Sequence, residues 1–167
     1  MRCRHLARLL SLLAVAAPAL PAAPLDIPGF MAIPRPLPTR SIRYGTAPVQ
    51  AIDLFLPARH KSPAPVVILI HGGCWSSRTA AREQVRHLGA DLAARGIATW
   101  SIGYRRADEE GGGYPGTYED IGTAIDRLRS EAPRLGLDLS RVVLVGHSAG
   151  GHLALWAASR DRLPAHT

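Results

Sequence analysis

Residues Val143–Trp156 read VLVGHSAGGHLALW, and this stretch decides which fold the chain can adopt. A β-branched run stops at Gly146, Ser148 follows two residues later, and an apolar segment rich in alanine and leucine comes next. β-branched residues favour strands, whereas alanine and leucine favour helices. The stretch therefore predicts a buried strand over Arg141–Val145, a tight turn at the serine, and a helix over about Ala149–Arg160.

The same alternation of strands and helices extends back along the chain. Two short apolar runs predict a hairpin at a sheet edge, and a continuous β-branched run predicts another buried strand. Apolar residues at helical spacing predict two more helices, the second opened by a capping box of Thr117 and Asp120. The predicted strands are 42–45, 49–56, 66–70, 97–102 and 141–145, and the predicted helix faces are Val85, Leu88 and Leu92, then Ile121, Ile125 and Leu128. This order is typical of an α/β protein with a mainly parallel sheet flanked by helices.

Gly146-His147-Ser148-Ala149-Gly150 matches the pattern G-x-S-x-G. A sharp turn between strand and helix lifts a serine hydroxyl above the sheet, and glycine on either side leaves room for the turn. The alternative is a glycine-rich turn with a solvent-facing serine and no chemistry. A dinucleotide site would need G-x-G-x-x-G here and a phosphate loop would need G-K-[ST], and the sequence has neither.

A second glycine-rich segment, His71-Gly72-Gly73-Cys74-Trp75, directly follows the earlier β-branched run. Glycines at a strand end expose backbone N–H groups because no side chain shields them. Together with the N–H of Ala149, those of Gly72 and Gly73 are candidates for an oxyanion hole. We expect His71 to brace its own loop by hydrogen bonding, with Gly146 and Gly150 supporting the turn.

These segments resemble the esterase and lipase group of α/β-hydrolases, nearest to its hormone-sensitive-lipase-like, feruloyl/acetyl-esterase-like and kynurenine-formamidase-like members. The matching pieces are HGGCW, YRR at Tyr104–Arg106, PGTYEDIGTAIDRLR and GHSAGGHLALW, within about residues 42–160. The resemblance implies that Ser148 is the nucleophile. It also implies an α/β-hydrolase-like sheet, of which this chain holds the N-terminal half. Cys74 departs from the HGGG of many lipases, which favours the formamidase-like and feruloyl-esterase-like members.

The acid and base of a catalytic triad are the missing part of this pattern. In such hydrolases they follow the serine on loops after later strands. Only one acid, Asp161, and one histidine, His166, follow the turn at Ser148 and the helix after it. That helix carries the chain away from Ser148. We expect His147 to point away from the site and His152 to pack beneath the turn, while His60 and His87 lie on the surface. The sequence therefore predicts an esterase cut off after the nucleophile helix, inactive or weakly active by itself.

The N-terminus and the composition predict where the protein is located and which partners it lacks. Residues 1–23 have a basic start, an apolar run and small residues, which predicts a signal peptide and a periplasmic or secreted protein. Residues 24–40 are proline-rich and predict an extended lead-in, and 41–167 form a partial hydrolase domain. The formal charge is +7, but its arginines are scattered, which argues against nucleic-acid binding. The apolar run is too short for a membrane anchor.

The sequence and this resemblance together predict a serine hydrolase that acts on small-molecule carboxylic esters, and they imply no metal or organic cofactor. Two alternatives stay open. One is amide cleavage on the same fold, by an aryl-formamidase or a small peptidase. The other is a remnant or binding module without catalysis. The acyl and alcohol groups of the substrate and the oligomeric state are not indicated by the sequence.

Overall fold

A five-stranded sheet forms the centre of the computed structural model, which describes residues 24–58 and 63–162. The strands are β1 (Arg40–Arg43), β2 (Ala51–Phe55), β3 (Ala64–Ile70), β4 (Ala98–Ile102) and β5 (Leu137–Gly146). The helices are α1 (Ile27–Ala32), α2 (Arg86–Ala94), α3 (Gly116–Leu135) and α4 (Ala149–Ala158), with short 3-10 turns at Arg82–Val85 and Arg160–Arg162.

The strands lie in the order β1-β2-β4-β3-β5. β1 and β2 form the predicted antiparallel hairpin at one edge, and β2 is also antiparallel to β4. β3 pairs in parallel with both β4 and β5, so the predicted α/β fold with a mainly parallel sheet is confirmed. In the pairing of β3 with β5, Ile70 lies opposite Gly146, which places the ends of these two strands side by side.

One face of the sheet packs against α3 and α4. Large apolar side chains from β2, β3 and β4 fill this layer, and α3 contributes the predicted Ile121 and Leu128, both buried. Trp100 is fully buried, and its indole N–H donates to the Ala124 carbonyl at 2.9 Å. That bond satisfies the one polar atom of the ring and sets the position of α3 on the sheet.

The opposite face carries a buried carboxylate. Asp53 of β2 is completely inaccessible to solvent, and it accepts hydrogen bonds from Arg82 at 3.2 Å and Arg86 at 2.7 Å. Arg82 lies in the 3-10 turn that leads into α2, and Arg86 is the first residue of α2. Next to this pair, Gly89 lets α2 approach the sheet, because a Cβ there would lie 2.6 Å from the Phe55 ring. The ion pairs and this close contact together hold α2 on the sheet.

Three local expectations are wrong. The lead-in is not extended throughout, because α1 forms within it, capped by the Asp26 carboxylate that accepts from Gly29 N at 2.7 Å. Leu88 is 43% exposed, since Gly89 takes the buried position of α2. Thr117 and Asp120 do not form a capping box; they lie inside α3 and bind Arg105, the threonine donating to its carbonyl and the carboxylate accepting from its backbone N–H.

The last strand is longer and less buried than expected. β5 lies at the edge of the sheet, and Val143 and Val145 are 57% and 45% exposed. Alternate residues of a strand face opposite sides of a sheet. Val142 and Leu144 pack on the core, whereas nothing in residues 24–58 and 63–162 buries the other face at these two valines.

Several expectations concern residues for which the structure gives no description. The predicted signal peptide at 1–23 lies outside the described residues, as do His60 and His166. No helix within the described ranges has the length and apolar character needed to cross a membrane.

Replacing Asp53 by asparagine tests the buried ion pairs. Two guanidinium groups would then face a neutral amide in a dry layer, so we expect the free energy of unfolding to fall by about 3 kcal/mol. Urea denaturation of the full-length protein measures the loss. Asp91→Asn is the control because the Asp91–Arg95 pair is at least 60% exposed and screened by solvent, so its loss should be much the smaller of the two. Equal losses in the two variants would contradict a stabilising role for Asp53.

Candidate active site

Ser148 lies at the tight turn between β5 and α4. It is the residue before the first turn of α4, it is exposed, and its backbone has φ 53° and ψ −120°. A positive φ is strained for a residue with a side chain, and such strain persists only where the surroundings impose it. Here the His147 N–H donates to the Ile70 carbonyl at 3.3 Å, and the Gly150 N–H donates to the His147 carbonyl at 2.9 Å. The turn is therefore tied both to β3 and to itself.

The glycines around Ser148 are required by close backbone contacts. A Cβ on Gly146 would lie 2.1 Å from the Gly150 carbonyl oxygen, and one on Gly150 would lie 2.1 Å from the Ile70 carbonyl oxygen. Real Cβ atoms do not approach backbone that closely. The G-x-S-x-G spacing is thus explained by two close approaches, that of Gly146 to Gly150 inside the turn and that of Gly150 to the end of β3. The sequence predicts the need for room at the turn but not the contact with β3.

Residues His71–Trp75 after β3, which we call the glycine loop, lie against this turn. A Cβ built on Gly72 would lie 2.7 Å from the His147 carbonyl oxygen and 3.3 Å from Ser148 Cβ. Gly73 has φ +115°, and a Cβ there would lie 2.4 Å from the Ala80 side chain. Ala149 is buried and begins α4, so its N–H has no partner within the helix. The structure therefore brings Gly72 and Ala149 to the serine, with Gly73 next in the same loop.

His71 is a buried part of this loop. Its ring stacks on Tyr104 with centroids 4.4 Å apart, and its Nδ1 lies 2.7 Å from the Gly72 carbonyl oxygen. Since a carbonyl only accepts, Nδ1 carries the proton and donates it. Burial lowers the pKa of His71 to about 4, so the ring is neutral at pH 7. The hydrogen bond to its own loop is the one we expect from the sequence.

Two other histidines lie closer to the site than expected. His147 does not point away: its Nδ1 would lie 2.8 Å from a Cβ on Gly72, and only the missing side chain of that glycine leaves room for the ring. His152 does not pack beneath the turn; it is exposed on α4 between the rings of Trp75 at 5.7 Å and Tyr118 at 6.0 Å. The i, i+4 spacing of Ser148 and His152 could have indicated that they share one face of α4. It could not have indicated that the Trp75 and Tyr118 rings, from other segments, lie beside His152.

The remaining candidates form no acid–base pair. Across residues 24–58 and 63–162, no histidine is hydrogen-bonded to an aspartate or glutamate. Asp161 is exposed, and His87 is partly buried against the Phe30 ring rather than on the surface. The described part of the chain also holds no cluster of three histidine, cysteine or acidic side chains that could bind a metal ion.

Replacing His71 by glutamine tests the neutral state of this ring. In the unfolded chain the histidine gains a proton as the pH falls through 6.5, whereas the folded protein excludes that proton down to about pH 4. The unfolded state binds more protons in this window, so the free energy of unfolding decreases as the pH is lowered from 6.5 to 4. We expect the variant to lose this contribution, which is at most about 1.4 kcal/mol per pH unit. Denaturant titrations across the window measure it, and identical slopes for variant and wild type would contradict the prediction.

Comparison with known proteins identifies relatives of this arrangement. A family model described as BD-FAE matches residues 52–164. The chain is 33% identical over 135 residues to a probable isoprenylcysteine alpha-carbonyl methylesterase of Arabidopsis thaliana, covering 78% of this chain and 28% of that protein. It is 28% identical over 120 residues to the kynurenine formamidase of Danio rerio, covering 72% and 38%. The chain thus spans between about a quarter and two fifths of the length of these relatives.

Solved structures share the fold as well. Esterase B of Lactobacillus rhamnosis matches with a TM-score of 0.66 and 34% identity, over 75% of this chain and 39% of that chain. Another structure of the same esterase, whose description names a tributyrin phosphonate inhibitor, matches with a TM-score of 0.65. Because the family match extends over more than half of the residues and a solved esterase at 34% identity superposes on three quarters of the chain, the chain belongs to the BD-FAE family and has the α/β-hydrolase fold.

Proposed function

We propose that this chain carries the nucleophile and the oxyanion hole of a serine hydrolase that cleaves carboxylic esters. The observation that carries the proposal is the exposed, strained Ser148 in contact with Gly72 at the ends of two parallel strands. An ordinary turn that requires this positive φ usually carries glycine at the position, whereas here it carries a serine. Backbone strain of this kind accumulates where geometry is held for chemistry.

The chemistry follows from the positions of these groups. The Ser148 oxygen attacks the ester carbonyl carbon while a general base takes the hydroxyl proton. The negative charge that develops on the carbonyl oxygen is accepted by the N–H groups of Ala149 and of the glycine loop, and the positive end of α4 favours it. The tetrahedral intermediate expels the alcohol, which takes up the proton. Water then attacks the acyl-serine, and the carboxylic acid leaves.

The general base is the part of this mechanism for which the described residues offer no candidate. His71 is buried and donates to Gly72, and no other histidine in the described ranges is oriented by a carboxylate. A base needs such a partner to hold its ring and stabilise the cation. We therefore place the base and its acid outside residues 24–58 and 63–162.

Formamide cleavage is the second candidate, and the likeness to kynurenine formamidase favours it. Ester cleavage has the stronger support, because the methylesterase and esterase B are more similar to this chain. The two reactions need the same nucleophile and oxyanion hole. They differ in the leaving group, which is an alcohol in one case and an amine in the other, so substrate assays separate them.

Replacing Ser148 by alanine tests the nucleophile. We expect the full-length protein to react with a fluorophosphonate probe and to hydrolyse p-nitrophenyl acetate, and the variant to lose labelling and at least about 10⁴-fold in kcat. Ser130→Ala, at an exposed serine on α3, is the control and should keep both activities. Hydrolysis by the alanine variant at the rate of the wild type would contradict the proposal.

A pair of substrates tests ester against formamide cleavage. We expect a higher kcat/KM for p-nitrophenyl acetate than for N-formylkynurenine, measured with the full-length protein under one set of conditions. Faster turnover of N-formylkynurenine would replace the ester assignment with the formamide one. Turnover of neither substrate, together with no probe labelling, would favour a binding module without catalysis.

A further inference from the structure

The glycine loop is held by a second loop, Tyr104–Glu109, which we call the bracing loop. We propose that Arg106 of this loop is a positioning residue for the oxyanion hole. This inference rests on the proposed function, because a hole has a purpose only if a charged intermediate forms at Ser148. Arg106 itself lies outside the hole and acts through the residues that it holds.

Four hydrogen-bonding groups connect the two loops. The Tyr104 hydroxyl donates to the His71 carbonyl at 2.8 Å, and the Ala107 N–H donates to the Trp75 carbonyl at 2.8 Å. The Asp108 carboxylate accepts from the backbone N–H of Ser77 at 2.9 Å and from the hydroxyls of Ser76 and Ser77 at 3.1 Å. The guanidinium of Arg106 donates to the Ala80 carbonyl at 2.7 Å. The bracing loop therefore holds the glycine loop at its first residue, His71, and at its last, Trp75, and it also holds the segment that follows, as far as Ala80.

The contact made by Arg106 reaches Gly73 through Ala80. A Cβ on Gly73 would lie 2.4 Å from the Ala80 side chain and 3.1 Å from its backbone nitrogen. Gly73 is thus packed directly on Ala80, and its φ of +115° sets the direction of the peptide N–H groups on either side. A shift of Ala80 would be passed to Gly73, because no side chain or space separates them.

The Arg106 fork is itself rigidly held. Only 6% of the residue is exposed, and Glu109 accepts from Nε at 2.6 Å and from one terminal nitrogen at 2.7 Å. The same carboxylate also accepts from the Arg106 backbone N–H at 2.7 Å, and these bonds hold the pKa of Glu109 below its usual value. A planar guanidinium gripped on one edge can present its remaining nitrogen in only one direction. That direction is the Ala80 carbonyl.

A lysine or an apolar residue would not reproduce this geometry. Lysine lacks the planar fork, and an apolar side chain would leave the Ala80 carbonyl without this donor and Glu109 with only the Arg106 backbone N–H. Since the hole contacts the developing charge and not the bound ester, loosening Gly73 should affect the transition state more than ground-state binding.

Arg106→Met in the full-length protein tests the inference. We expect kcat for p-nitrophenyl acetate to fall about 10- to 100-fold while KM changes less than about twofold. A trifluoromethyl ketone whose hemiketal oxygen occupies the hole should bind more weakly by a similar factor. In hydrogen exchange, the amides of residues 72–75 should exchange at least about tenfold faster than in the wild type.

Two further variants make the test specific. Arg106→Met/Glu109→Gln also removes the carboxylate whose guanidinium partner the single change deletes, so it separates loss of position from the cost of a partly buried carboxylate without its ion pair. Arg141→Met is the control for the bonding pattern, because this more exposed arginine in the N-terminal half of β5 also joins a carboxylate, Asp138 at 2.6 Å, to a backbone carbonyl, Pro63 at 2.8 Å. The double variant should resemble Arg106→Met, and the control should resemble the wild type.

The outcomes separate the two proposals. If kcat, inhibitor binding and loop exchange in Arg106→Met all match Arg141→Met, the positioning role is overturned even though the protein is an esterase. If the wild type has no hydrolase activity, the proposed function fails, and unchanged exchange of residues 72–75 then overturns the role of Arg106 as well. A selective loss in kcat and ketone affinity with faster loop exchange supports it.

Discussion

The parallel pairing of β3 with β5 is the interaction on which the site depends. It places Ile70 opposite Gly146, so both strands end at the same edge and the loops that follow them share one small volume. The volume is too small for side chains at three of its backbone positions, which explains why Gly72, Gly146 and Gly150 surround the serine. The positive φ at Ser148 is a consequence, since the turn that connects β5 to α4 is packed against the end of β3.

Ion pairs with at least one buried partner hold in place the segments around the site that contain none of its proposed catalytic groups. Asp53 fastens α2 to one face of the sheet through two arginines, and Asp120 fastens Arg105 to the start of α3. Arg106 and Glu109 fasten the bracing loop to the glycine loop. A buried carboxylate or guanidinium has a strong requirement for its partner, so each pair restricts the geometry more than an apolar contact would.

The edge occupied by β5 differs from the rest of the sheet. Val143, Val145 and Leu155 are exposed there, although the other strands bury nearly all of their apolar residues. The strand itself is recognisable from its β-branched run, but burial depends on what packs on it. Periodicity alone predicted a buried strand and could not indicate that one of its faces would lack a covering helix within the described ranges.

The order of strands and helices, the tight turn at Ser148 and the glycines beside it were predictable from the sequence, because they depend on local propensity and on close backbone contacts that only glycine permits. The details that failed depend on distant residues. Asp120, which has the spacing of a capping residue, binds Arg105 instead. Leu88 is exposed because Gly89 occupies the buried position of α2. The His147 ring lies in the space that a side chain at Gly72 would otherwise fill. The connection from Arg106 through Ala80 to Gly73 joins three separate loop segments, and no spacing along the chain encodes it. The sequence by itself thus determined which residues could form the site. Only the tertiary structure decided which of them meet, because those contacts are made across the sheet edge and not along the chain.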